Sequence, residues 1–267
     1  SSRGIGVYGN IVNDGIFSVT SASSGVLFLG GTQLGSAPAA TTVQTISGNG
    51  VWRNSTTAST ASLNSLTMNN AAGTTLMVPL TVGNTLTLTS GKLFTDAVNY
   101  LGVGTGLSPS GTIGTGTVTV SSTLTASHIV GPIRRAIPSA TTWLINDQRG
   151  LFPIGDGTTG RQLNIAVTTN ATPGSLSGSF NSADPGNPPA PYSDGGTNNI
   201  AFTSPSGYWN VEYTNGAAGG GYTVQVNATG FTKRGGAAIT DFANIRLIKR
   251  PSAGTWAAGA DGTPQTP

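Results

Sequence analysis

The chain of 267 residues contains no cysteine, a single histidine and few charged side chains. Without cysteine it forms neither a disulfide framework nor a thiolate metal site. Asp, Glu, Lys and Arg make up 8% of its residues, against about 25% in a typical soluble domain. No apolar run approaches the ~18 residues of a membrane-spanning helix, so we predict no membrane insertion.

Side chains for catalysis are equally scarce. A Ser-His-Asp arrangement has one available base, His128, and no Gly-x-Ser-x-Gly motif stands at a strand-to-helix turn. Glycosidase chemistry needs two carboxylates around one bond, and residues 1–130 contain only Asp14 and Asp96. We therefore predict a protein that is not an enzyme and that binds no cofactor.

The polarity that is present comes from residues typical of turns and strand faces. The chain has 40 Gly and 36% hydrophobic residues, with abundant Thr and Val and little Glu or Lys. This composition predicts an all-β protein and excludes long helices and disorder. The net charge of +3 is spread along the chain, and no basic run exceeds a pair such as Arg134-Arg135, so we predict no nucleic-acid partner.

The distribution of charge divides the chain near residue 130. Residues 1–130 carry only five charged residues, namely Arg3, Asp14, Arg53, Lys92 and Asp96. We therefore predict a Thr/Gly-rich domain over residues 1–130, a second domain over residues 131–250 and a linker-like tail over residues 251–267.

Short strands with period-two alternation predict the architecture of both domains. Leu alternates with Thr in residues 84–89, and turn signals recur about every 8–12 residues without a strict sequence period. Low charge, Thr and Asn ladders and small corner residues favour a parallel β-solenoid for residues 1–130, with a β-sandwich as the alternative. Mixed apolar and polar alternation, interrupted by Pro and Gly, predicts an antiparallel β-sandwich for residues 131–250.

Three stretches of the sequence carry a resemblance to a known group. The Leu/Thr-rich residues 66–76 and 80–93 are followed by HIVGPIRR at residues 128–135 and by LFPIGDG at residues 151–157. In this order they resemble secreted surface proteins of Bacteroidetes-type bacteria. The resemblance implies export by the type IX route and display or release at the cell surface, as adhesin-like or repetitive stalk proteins. It transfers no catalytic residues.

Together these features predict an extracellular structural protein. We expect the self-assembling subunit of a bacterial surface filament, whose partners are copies of itself joined head to tail through the termini. The candidate assembly residues lie in the N-terminal strand region and in the tail, and they are Ile5, Val7, Tyr8, Ile11, Val12 and Trp256.

The alternative is a monomeric adhesin or carbohydrate-binding module of a larger surface protein. Its partners would be surface glycans, and its candidate binding residues are Tyr208 and Trp209, because exposed aromatic rings stack on flat ligands. Asp184 and Asp194 bracket a Pro-rich loop and are candidate calcium ligands, with turn capping by their side chains as the other interpretation.

Overall fold

The computed structural model describes residues 4–18, 26–30, 42–53, 62–104, 117–120, 126–137, 148–167, 174–188, 200–214, 221–240, 245 and 247–249. These residues form strands and contain no helix, so the predicted all-β class is confirmed. Accordingly, no helix in the described part of the chain is long and apolar enough to cross a membrane.

The described strands are mostly short, as expected for a chain rich in Gly and Thr. In chain order they are β1 (Gly4–Val7), β2 (Ile11–Val12), β3 (Ile16–Ser18), β4 (Val26–Leu29), β5 (Gln44–Ser47), β6 (Val51–Arg53), β7 (Leu63–Asn69), β8 (Thr74–Leu76), β9 (Leu80–Phe94), β10 (Leu101–Val103), β11 (Thr117–Val120), β12 (Ser127–Val130), β13 (Ile133–Ile137), β14 (Leu151–Phe152), β15 (Ile154–Gly155), β16 (Leu163–Val167), β17 (Gly174–Asn181), β18 (Tyr208–Thr214) and β19 (Tyr222–Val226).

The first strands form parallel layers. We call residues 4–18, with β1, β2 and β3, the N-terminal layer. Its strands pair in parallel and in register with β4, β5 and β6, respectively. The same arrangement continues along the chain, because β4 pairs with β7 and β7 with β9, while β5 pairs with β8 and β8 with β9. Two runs of parallel strands therefore develop side by side.

Strand β9 belongs to both runs. Its first part pairs with β7, β10 and β11, and its last residues pair with β8 and β12. The strand passes from one run to the other at Gly91, which has a φ of 79°. A Cβ atom at Gly91 would collide with the backbone carbonyl of Asn70, so a residue without a side chain is required there.

The alternation of Leu and Thr along β9 determines which of its side chains enter the core. Leu86 and Leu88 are fully buried, whereas the threonines between and beside them are half-buried on the other face. Leu86 lies in register with Leu66 and Val118, which are also fully buried, so one apolar column crosses the strands. Burial of each such side chain contributes about 2 kcal/mol to folding.

The later strands make the sheets mixed. β13 pairs in parallel with β10 and antiparallel with β17, and β16 pairs antiparallel with β14 and β19. The chain divides into two compact units, Ser1–Phe180 with Val211–Asn227, and Asn181–Asn210 with Ala228–Pro267. The boundary near residue 130 stays a prediction.

One cation is enclosed by this mixed region. Arg135 on β13 is 1% exposed, and its guanidinium donates hydrogen bonds to the backbone carbonyls of Gln148 and Arg149, at 2.9 and 2.8 Å. Its neighbour Arg134 points the other way and lies over the ring of Tyr100, 3.5 Å from the centroid. Backbone carbonyls therefore accept two of the hydrogen bonds that this buried guanidinium donates.

Buried amide side chains satisfy the backbone where the layers turn. Gln44 is 1% exposed, and its Nε2 donates to the carbonyls of Val7 and Gly9, at 3.0 and 2.8 Å. Asn70 is fully buried, and its Nδ2 donates to Oε1 of Gln44 and to the carbonyl of Gly73. These two amides link three successive layers by hydrogen bonds that water cannot replace.

Replacing Asn70 tests this chain of hydrogen bonds. Asn70→Ala leaves the amide oxygen of Gln44 and the carbonyl of Gly73 without the Asn70 donor. We expect a loss of about 3 kcal/mol in the free energy of unfolding, measured by urea denaturation. Asn69→Ala is the matched control, because Asn69 is half-buried and accepts one hydrogen bond, from Ser90. Equal losses in the two variants would contradict the role of Asn70.

Candidate functional site

The N-terminal layer has strand partners on one side. β1, β2 and β3 each pair with a strand of the next layer, and none has a second partner within the described residues. The layer is held firmly on the paired side: Asn13 donates to the carbonyl of Val51, and the ring of Phe17 lies 5.1 Å from that of Trp52, which is 5% exposed. Its other side presents backbone hydrogen-bonding groups along three strands.

Large apolar side chains are exposed on this layer. Ile5 is 43% exposed, Val12 66% and Ile16 63%. Two of these three were predicted as assembly residues, and Ile16 was not, although it begins a short apolar run with Phe17. The structure therefore adds Ile16 to the exposed apolar residues of the N-terminal layer.

The remaining predicted assembly residues contribute less exposed surface. Ile11 is 8% exposed and packs into the interior, and Val7 and Tyr8 are half-buried. The hydroxyl of Tyr8 is enclosed and has no hydrogen-bond partner in the described part of the chain. Trp256 lies outside the described residues.

A second exposed strand ends the sheet that β1 begins. The sheet runs in the order β1-β4-β7-β9-β10-β13-β17-β18. On β18, Val211 is 39% exposed and Tyr213 52% exposed, and Glu212 between them is also exposed. Because adjacent strand residues point to opposite faces, this part of β18 is uncovered on both faces.

The predicted glycan-binding pair is partly engaged within the protein. Tyr208 and Trp209 are both half-buried. The hydroxyl of Tyr208 accepts a hydrogen bond from Asn181 at 2.9 Å, and the ring of Trp209 stacks on that of Phe231, with centroids 5.3 Å apart and planes 16° apart. One face of Trp209 is therefore covered by a buried phenylalanine.

Asp184 has a protein partner in place of a metal ion. Both of its carboxylate oxygens accept hydrogen bonds from Arg234 at 2.7 Å, and Arg234 also donates to Asn187. The hydrogen bonds from Arg234 and from the backbone of Gly186 lower the pKa of Asp184. Asp194 lies outside the described residues, so the calcium pair stays a prediction. No group of three or more potential metal ligands occurs among the described residues.

The turn after β15 contains the carboxylate with the largest pKa change. Burial alone would raise the pKa of Asp156, but hydrogen bonds from the side chain and backbone of Thr158 and from the backbone of Thr159, with the charge of Arg161, lower it to about 2. Arg161 lies 3.4 Å from the carboxylate, and both side chains are mostly buried. This arrangement ties the turn together and offers no open position for a substrate.

His128, the single candidate base, is fully buried on β12, next to Gly155. No protein-family model, curated protein or solved structure matches the chain. The exposed N-terminal layer and β18 are therefore the features on which a functional proposal rests.

The lowered pKa of Asp156 predicts a pH dependence of stability. Because the carboxylate is more acidic in the folded protein, its stabilisation is complete above pH ~4 and is lost as the pH falls toward 2. We expect Asp156→Asn to cost about 2 kcal/mol at neutral pH, with the difference from the parent protein narrowing between pH 4 and 2. Chemical denaturation across this range measures it, and parallel curves for the two proteins would refute the expectation.

Proposed function

We propose that this protein is an extracellular structural protein, the self-assembling subunit of a bacterial surface filament whose copies join head to tail. The observation that carries the proposal is the open side of the N-terminal layer, where Ile5, Val12 and Ile16 are exposed. Ile5 lies in register with Leu27 and Leu66, which are fully buried, so a joint at this layer would continue that apolar column into the next copy and give the backbone groups of β1, β2 and β3 partners there.

The composition of the layer supports a role in pairing. Natural edge strands are usually protected by Lys, Pro, inward-pointing charge or a bulge, because unpaired backbone groups attract other strands. Residues 4–18 contain no Pro, Lys or Arg, and Asp14 is their only charged residue. The layer thus combines an open edge with exposed apolar residues, and its edge strands carry neither Pro nor Lys.

Head-to-tail contact determines the product of assembly. When one surface of a subunit binds a different surface of the next, the contact is repeated at every joint, and a rotation that does not close into a ring gives a fibre. The parallel layers suit such a subunit, and we infer that they are coils of a β-solenoid over residues 1–130. The parallel pairs of β1 with β4, β4 with β7 and β7 with β9 support this interpretation.

The proposal includes a β-sandwich in residues 131–250 and an extracellular location of the protein. The antiparallel pairs of β13 with β17 and of β16 with β19 support a β-sandwich within residues 131–250. The low charge, the hydroxyl-rich polarity and the resemblance to secreted surface proteins support an extracellular location, and the scarcity of His and of carboxylates supports a role without catalytic activity.

The alternative remains an adhesin or carbohydrate-binding module that uses Tyr208 and Trp209. It requires aromatic faces open to a sugar ring. Since Phe231 covers one face of Trp209, the geometry favours self-assembly over glycan binding.

Charge introduced into the N-terminal layer tests the proposal. We expect the double variant Ile5→Lys, Val12→Lys to remain monomeric where the parent protein forms fibres, because a lysine at position 5 would bring an ammonium group into the apolar column and lysines on edge strands disfavour pairing with another strand. Light scattering gives the mass in solution, and negative-stain electron microscopy gives the morphology. Both residues are exposed, so the free energy of unfolding should change by about 0.5 kcal/mol or less.

Val98→Lys is the matched control. Val98 is 71% exposed at the tip of the turn that Asp96 caps, away from the N-terminal layer in the strand order. This variant should assemble as the parent protein does. Fibres of unchanged length in the double variant, or a parent protein that stays monomeric at all concentrations, would overturn the proposal.

A further inference from the structure

We propose that β18 is the strand that receives the N-terminal layer, so that β1 of one copy pairs with β18 of the next. This inference rests on the proposed self-assembly and names its second surface. The main support for this pairing is the strand order of the long sheet, which begins at β1 and ends at β18. Joining these two ends makes one sheet continuous from copy to copy.

Other strands that end the sheet are less suitable acceptors. Among the described strands, β11 and β15 also have a strand partner on one side only. Val118 on β11 and Ile154 on β15 are both 0% exposed, and Val120 on β11 is half-buried. On β18, Val211 and Tyr213 are exposed instead, as Ile5 is on β1. Among these three strands, β18 is therefore the one at whose edge added apolar side chains find exposed apolar neighbours.

The lengths of the two strands are compatible. β1 has four residues and β18 has seven, so β1 fits within the length of its acceptor.

Pairing of β1 with the β1 of a second copy would give fewer backbone groups a hydrogen-bond partner than pairing of β1 with β18. Such a contact uses the same edge twice, stops at two copies and leaves β18 open in both. It also brings Ile5 of each copy against only four residues of β1. Pairing of β1 with β18 uses both open ends of the sheet at every joint.

The absence of cysteine makes a cross-linking experiment unambiguous. Two single variants of the full chain, Ile5→Cys and Tyr213→Cys, are purified separately, mixed and treated with a short thiol-specific cross-linker. Each copy carries one thiol, so the product stops at a dimer, which non-reducing electrophoresis and mass spectrometry identify. We expect this dimer in the mixture, at about tenfold or more above either variant alone, because binding holds the two thiols at a high effective concentration.

Tyr222→Cys provides the matched control. Tyr222 is 49% exposed on β19, an end strand of a different sheet, so its exposure is close to that of Tyr213. A mixture of the Ile5→Cys and Tyr222→Cys variants should give only the background of random collisions. Equal yields with Tyr222 and Tyr213, or a dominant dimer from Ile5→Cys alone, would overturn the assignment of β18.

Light scattering on the same samples separates this inference from the proposed function. Assembly without the Ile5–Tyr213 product contradicts β18 as the acceptor and leaves self-assembly standing. Absence of assembly in the parent protein contradicts both. Assembly together with the specific product supports both.

Discussion

The structure depends on the satisfaction of backbone hydrogen bonds inside the layered region. Along the strands, each parallel neighbour supplies the partners, but where the chain turns from one run to the next, carbonyl groups are enclosed without a strand beside them. Gln44 and Asn70 supply further donors with side-chain amides, and each links its own layer to another. Backbone N–H groups also reach two of these carbonyls, from Gly30 to Val7 and from Gln44 to Gly73. An apolar residue at position 70 would still leave the buried amide oxygen of Gln44 without the donor that Asn70 provides, at a cost of about 1–3 kcal/mol.

The same requirement explains why the end strands of the sheet are the candidate surfaces for assembly. An interior strand such as β7 has hydrogen-bonded neighbours on both sides, and its apolar residues are fully buried. β1 has a neighbour on one side and retains an exposed isoleucine, and β18 retains an exposed tyrosine. At β1 and β18, a strand edge and exposed apolar side chains thus occur together, and an additional strand provides partners for both at once.

Local patterns in the sequence predict part of this architecture. The composition predicts the all-β class, and the Leu/Thr alternation of residues 84–89 predicts which side chains of β9 face the interior. The neighbours of each strand are not predictable in this way, because period two specifies a face and not a partner. Partners lie at unequal separations, with Gly4 beside Val26 but Val26 beside Ser65. The exposure of Ile16 and the burial of Asn70 depend on those partners. From residue type alone, one would expect a buried isoleucine and an exposed asparagine, and both expectations would be wrong.

Strand β9 has a consequence for how the molecule opens. It is 15 residues long and is hydrogen-bonded to β7, β8, β10, β11 and β12, so both parallel runs share one continuous segment of backbone. Neither run can detach from this segment without disturbing the other, which couples them into one cooperative unit. Sub-global opening is then restricted to the periphery, and the amide protons of β9 belong to the slowest class to exchange with solvent.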